Sequence, residues 1–318
     1  MYISDKNAAQ FLGLLILVAG PWLGVTFQIW GWMLDIALLL AFFYICGRED
    51  NKGKYISIFL LVFGYMIPII TAGVSSLMYM SYVPLAGLAT LWVRKKGLPH
   101  RTVVFWSLVT AGTLGAAPTL LYYWQGIPQE STQFLVQSMI EQYREAGLLD
   151  NFVQQGISEA EVEGFFQQVL NTVLLITPGL AAIGGLLKWG VTYLFYLRWQ
   201  PKVGWEYRPF TEWRLPWYGI WGMNFAIASY LLGDIFQWII LKNIGINFML
   251  VFGALALVLG SAIFVSFLQK PWISNFLKFI LLFTSFLYFQ FTAIILIFMG
   301  LLDMVLDFRQ RPIKPKKK

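Results

Sequence analysis

The chain has 318 residues, of which 58% are hydrophobic and 12% charged, against roughly 25% charged in an ordinary soluble domain. With a mean hydropathy of +0.66, a soluble globule of this length has no interior large enough for its apolar side chains, so the composition points to an integral membrane protein. One cysteine, Cys46, and one histidine, His100, exclude a disulfide framework, a cysteine-built zinc site and a histidine cluster.

The net charge of +7 is unevenly spread. Residues 129–168 carry seven acids and one base, a net of −6, which leaves +13 on the rest. Those bases flank hydrophobic stretches, which is the pattern of membrane topology rather than of nucleic-acid binding.

Nine apolar segments follow one another: about 8–27, 29–46, 55–76, 78–93, 102–124, 169–197, 216–240, 246–268 and 276–302. None alternates with period two, so the expectation is an all-α fold, a polytopic transmembrane helical bundle of about 8–10 membrane segments. The first run leads straight into a second, so it reads as a retained membrane helix rather than a cleaved signal. Tryptophans mark many segment ends (Trp22, Trp30, Trp92, Trp124, Trp199, Trp217, Trp272), as headgroup-level anchors do. Trp106 and Trp189 fall mid-segment and read as lipid-facing. Gly20 with Gly24, and Ala9 with Gly13, would allow close helix packing.

Between residues 68 and 84 the apolar pattern contains Pro68, Gly73, Ser75, Ser76 and Pro84. A plain hairpin between two short helices is the simpler expectation; the alternative is an unwound stretch lining a cavity. Pro118 and Pro178 predict kinks in two further helices.

The acidic segment 129–168 reads as an extracytoplasmic amphipathic helical insertion. Ser131 starts a helix ending near Gly147, with Phe134, Ile140, Tyr143 and Leu148 as its apolar side. Ser158 and Glu161 form a capping box for a second helix that runs on into the sixth membrane segment. It would either cap a membrane cavity or lie on the bilayer surface. The implied division is 1–128 (N-terminal membrane helices), 129–168, 169–308 (C-terminal membrane helices) and a basic tail, 309–318.

Basic loops set the orientation. Arg94, Lys95, Lys96 and Arg101 border one loop, and Arg198, Lys202, Arg208 and Arg214 lie in another, both expected in the cytoplasm. Counting back places the 47–54 loop and the N-terminus there too. The tail (Arg309, Arg311, Lys314 to Lys318) demands the same side. That requires an even number of crossings after residue 214, so 276–307 would be a hairpin of two halves or one segment would be re-entrant.

Ionisable residues inside apolar segments are costly and are site candidates for that reason. They are Asp35, Lys188, Asp234 and, near the end of the last segment, Asp303, with the polar neighbours Asn224 and Gln237; Gln28, Asn171 and Gln290 are further polar positions. Asp35 and Asp234 read as the most deeply placed acids, able to meet a cation or a proton, and Lys188 a carboxylate or phosphate. The competing reading pairs Lys188 with one of the aspartates. Asp303 and Asp307, four apart on one helix face, read as partners of Arg309 and Arg311. No catalytic set, metal site or cofactor is expected. The Gly47–Lys54 stretch fails as a Walker A motif because its glycines are misspaced and Tyr55 stands where Ser or Thr must hold Mg²⁺. No G-x-S-x-G elbow occurs.

Several stretches resemble a known family. They are Leu174–Leu180 (L-L-I-T-P-G-L), the loop Arg208–Pro216 with its P-F-x-x-W-R-L-P pattern, Asn247 near the start of the next segment, and the ending Gly300–Arg309 with its G-L-x-D-x-x-x-D-F-R pattern. Pro84 followed by the basic turn Arg94–Gly97 adds to them. In this order, over about residues 60–310, the chain resembles the YybS-like bacterial membrane proteins (domain of unknown function 2232). The resemblance implies kinship with the substrate-binding membrane subunits of energy-coupling-factor vitamin transporters and with the cell-shape protein MreD. It implies a multi-pass protein of the bacterial cell membrane. The expected function is a transporter-like small-solute-binding component that works with separate transmembrane and ATPase subunits. The alternative is an MreD-like scaffold that contacts envelope proteins. No nucleic-acid partner and no enzymatic activity are expected.

Overall fold

In lipid every backbone N–H and C=O must find its partner within the chain, which long apolar segments achieve only as helices. The computed structural model describes residues 2–46, 51–124, 129–199 and 208–306, and these form α and 3₁₀ helices with no strand. The α-helices are α1 (Tyr2–Thr26), α2 (Gly31–Cys46), α3 (Asn51–Ala72), α4 (Ala86–Lys95), α5 (His100–Trp124), α6 (Gln129–Glu145), α7 (Leu148–Gln154), α8 (Glu159–Trp199), α9 (Ile220–Ile235), α10 (Ile239–Leu268), α11 (Asn275–Leu287) and α12 (Phe289–Leu306). Among the described residues, six helical stretches are long and apolar enough to cross a membrane: Gln28–Cys46, Tyr55–Ala72, α5, α8, α10 and α12. The protein is therefore an all-α polytopic bundle. The basic tail 309–318, Asp307 and Arg48 lie outside the described residues.

The first bundle gathers α1 to α5 around α8. Its core holds Leu17, Leu39, Phe42, Phe43, Leu61 and Trp189. Trp189 does not face lipid, as its mid-segment position suggested. It is fully buried, its indole N–H donates to Thr90 Oγ1 at 2.9 Å, and its ring stacks on Tyr193 with centroids 4.7 Å apart. A buried indole needs such a partner for its N–H. Small residues set the closest helix approach: a Cβ on Gly185 would run into the Ala111 carbonyl of α5, and one on Gly64 into the Leu17 carbonyl of α1. Gly20 and Gly24 are not used that way. Gly20 meets only the Leu38 side chain, and Gly24 faces open space.

At about 1.5 Å per residue, α8 with its 41 residues is roughly twice as long as the ~30 Å hydrocarbon core. Its first turns therefore stand clear, and α6 and α7 pack on them through Val136, Leu149, Val162, Phe166 and Leu170. Tyr143 meets Phe166 edge-on, with centroids 4.9 Å apart. The capping box forms. Ser158 N–H donates to Glu161 Oε2 at 2.8 Å, and Glu161 N–H returns a bond to Ser158 Oγ at 3.3 Å.

Three segments depart from the sequence pattern. The apolar run 216–240 does not stay one helix. It ends at Ile235, and the chain reverses through Phe236, Gln237 and Trp238, with Gln237 at φ 56°. Apolar Trp238, Ile239 and Ile240 hide that turn from a hydropathy count. The run 276–302 divides at Tyr288 into α11 and α12; α12 packs on α10, where a Cβ on Gly300 would meet the Ala256 carbonyl. The run 78–93 is α-helical only from Ala86.

Candidate functional site

α2 buries one face, with Asp35, Leu38, Leu39, Phe42, Phe43 and Cys46 at helical spacing. Asp35 is thus the one charge on a core stripe. It is 5% exposed at the side chain, and Lys188 of α8 meets it with Nζ 2.6 Å from Oδ2. Gly185 of α8 lets α5 come close, and the next turn carries Lys188 to α2. Ser81 Oγ donates to the same carboxylate oxygen at 2.6 Å. A buried charge costs several kcal/mol unless it is paired and hydrogen-bonded, and Asp35 is both.

Ser81 stands at the end of the stretch between α3 and α4, and that stretch is not a plain hairpin. Gly73 takes φ 80°, Val74–Met78 form a 3₁₀ turn, and residues 79–82 are irregular. Its backbone is tied down by hydroxyls. Tyr65 OH donates to the Ser81 carbonyl at 2.6 Å, Tyr82 OH to the Leu77 carbonyl at 2.6 Å, and Ser76 Oγ to the Gly73 carbonyl at 2.7 Å. Irregular backbone at membrane depth is stable only where protein or a cavity receives it. Here it forms part of a cavity wall.

That cavity measures about 450 Å³. Its polar lining is Gln28, Asp35, Tyr65, Tyr79, Ser81 and Lys188, with Gly20, Gly24, Gly115 and Pro118 also on its walls; of these glycines Gly24 faces open space. No described lining residue comes from 129–168; the described part of that segment packs on the extension of α8. An ammonium has three donors. Lys188 gives one to Asp35, which leaves it able to serve a ligand oxygen.

Of the residues singled out by sequence, the structure joins Asp35 and Lys188 and sets the others elsewhere. Asp234 is not deep in a membrane segment. It ends α9 with a side chain 54% exposed and pairs with Lys242, Nζ to Oδ1 2.6 Å. Gln237 lies in the adjoining turn and donates to the Asp234 carbonyl at 2.8 Å. Asn224 is on the exposed face of α9. Asn171 accepts from Gln167 on the exposed part of α8, and Gln290 is exposed on α12. Asp303 is buried. Among the described residues no group of three His, Cys, Asp or Glu could hold a metal ion.

Sequence reasoning missed Ser81, Tyr65 and Tyr79. The signal available was the Gly73–Ser81 stretch itself, polar and helix-poor within an apolar run. It also missed the role of Asn247. Pro178 cannot donate to Leu174, and Tyr123 OH takes that carbonyl at 2.5 Å. One residue on, Asn247 Oδ1 accepts from Gly179 N–H at 2.6 Å, and its Nδ2 donates to the Leu175 carbonyl at 2.8 Å. Gly179 of the P-G pair and the asparagine, 68 residues apart, tie α8 to α10 beside Pro178.

The loop Arg208–Pro216 and the chain ending also meet, as Leu215 and Met304 share a small core with Phe105 and Leu259. The model of one protein family, described as "Predicted membrane protein (DUF2232)", matches residues 14–304. Neither the curated proteins nor the solved structures give a match.

Proposed function

Because the chain belongs to the DUF2232 family of predicted membrane proteins, and a charged pair lines a cavity between its helices, we propose that it is the small-solute-binding component of a membrane transport system. The observation that carries this reading is Asp35 and Lys188 on one wall of a space of about 450 Å³, within the ~300–1,000 Å³ usual for ligand sites. An ordinary core would fill that space with apolar side chains. The irregular Gly73–Tyr82 stretch supports the same reading, since broken helices line the sites of transporters. The ligand is a small polar molecule with an anionic group for Lys188 and a hydroxyl or amine donor for Asp35. Energy comes from separate transmembrane and ATPase subunits. By the positive-inside rule the Arg94–Arg101 and Arg208–Arg214 ends face the cytoplasm of a bacterial cell, and the cavity lies toward the opposite end, where α1 meets α2.

The test is a screen of small polar solutes by thermal shift on the detergent-purified protein, followed by saturation binding of the strongest. Lys188→Met and Asp35→Asn should each weaken binding at least about tenfold, and Asp234→Asn should leave it intact. Unchanged binding in both cavity variants overturns the site. Co-purification of envelope proteins with no ATPase would instead favour the scaffold reading, in which the charged loops do the work.

A further inference from the structure

A second hollow lies on the other side of α8. Where Lys188 faces the polar cavity, Leu187 and Val191 line a cleft of about 270 Å³ between α5, α8 and α10, which the Arg208–Pro216 loop helps enclose. Its walls are almost wholly apolar. Leu187 is 59% exposed, and Val191 and Val258 are 38% exposed, so the cleft opens sideways, on helix faces that cross the membrane. Toward the Arg208–Pro216 loop its described lining turns polar and basic, with His100, Arg101, Arg208 and Arg214 beside one acid, Glu212. His100 is held by Tyr193, whose hydroxyl lies 2.8 Å from Nε2, and Trp213 fixes the loop through a 3.2 Å bond from its indole N–H to the Arg208 carbonyl.

We propose that this cleft seats one membrane lipid with a phosphate headgroup, its acyl chain along Leu187, Val191 and Val258 and its phosphate among Arg101, Arg208 and Arg214. Two features select this occupant. The lateral opening and aliphatic walls fit a hydrocarbon chain and offer a soluble anion nothing. Among the described lining residues three guanidiniums stand beside one carboxylate, and arginine, with five donors, matches phosphate through paired donors. Basic pockets between membrane helices bind acidic headgroups for this reason.

The experiment is native mass spectrometry and thermal shift on the full-length protein in mild detergent with added dioleoyl phosphatidylglycerol. The comparison arms are dioleoyl phosphatidylcholine and inorganic phosphate. One retained phosphatidylglycerol per chain with a raised melting temperature is expected, with no retained phosphatidylcholine and no displacement by phosphate. Arg101→Gln with Arg214→Gln should weaken binding about thirtyfold, from ~1 kcal/mol for each basic residue near the surface. Val258→Trp keeps the charges and fills the wall, and should weaken it at least about tenfold. It decides the matter if the arginine variant does not fold. Equal retention of both lipids, displacement by phosphate, or full binding by Val258→Trp would each overturn the proposal, the last because it reduces the effect to attraction at the surface.

Discussion

Among the described residues, two lysine–aspartate pairs of the same 2.6 Å length stand in opposite settings. Asp35 and Lys188 are 5% and 24% exposed, joined across α2 and α8 from positions 153 residues apart. Asp234 and Lys242 are 54% and 37% exposed, joined across the tight turn between α9 and α10. Bond length does not distinguish them; surroundings do. The first pair belongs to a polar constellation with Ser81 that the bundle was built around. The second closes a local hairpin already held by glycine contacts, where a Cβ on Gly245 would meet the Tyr230 backbone. A buried pair is weak evidence for stability, since a well-packed apolar substitute is often as stable. Its retention beside a cavity is therefore better explained by what the cavity does.

The sharpest way to break that contrast is to remove one partner from each pair. Asp35→Ala leaves Lys188 charged in a low-dielectric wall, and should cost about 3–5 kcal/mol, read as lost thermal stability of the detergent-solubilised protein. Asp35→Ala with Lys188→Met should recover much of that loss, because neither charge is then stranded. Asp234→Asn should leave the melting temperature within error, as expected for an exposed ion pair. Equal losses from Asp35→Ala and Asp234→Asn would remove the distinction between the two regions.

The next effect lies at the seam between them. Asn247→Ala should cost about 1–2 kcal/mol, because it removes the side chain that bonds both Gly179 N–H and the Leu175 carbonyl and ties α10 to α8. Tyr123→Phe should cost about 0.5–1 kcal/mol by baring the Leu174 carbonyl. The Tyr123 loss should shrink in a Pro178→Ala background, since the restored N–H at position 178 can take that carbonyl. Strict additivity of Tyr123→Phe and Pro178→Ala would show that the tyrosine is not serving the carbonyl that Pro178 leaves without its helical donor.

These residues also show what the sequence can carry. Long uncharged segments announce the membrane bundle, because lipid leaves helices as the solution for each of them. The Ser158–Glu161 box is equally legible, since its partners are three residues apart and need no tertiary knowledge. The turn at Gln237 was not, because it sits among large apolar residues that keep hydropathy high through a reversal of the chain, and the division at Tyr288 was open only as one of two alternatives that the basic tail required. Burial of Trp189 depends on Thr90, and the partner of Asp35 lies on a helix 153 residues away. Pairing of that kind is fixed by how α2, α5 and α8 cross, which composition does not encode. The P-G pair and Asn247 stood out in the resemblance, and only the structure shows that they touch.

The smallest effect is expected at the acidic extension, where polar contacts face outward as they do at Asp234. Ser158 donates to Glu161 through both its N–H and its hydroxyl, and these bonds hold the Glu161 carboxyl below its ordinary range of about 4.5. A depressed carboxyl pKa means that its contribution is present above that range and fades as pH falls through the lowered value. Amide exchange in the first turn of α8 should therefore quicken in acid. Ser158→Ala should quicken it about fivefold at neutral pH and flatten the acid response, while the global melting temperature stays put. A drop in global stability would show that the first turns of α8 unfold together with the membrane bundle, so that the outward-facing contacts are energetically part of the core that holds Asp35.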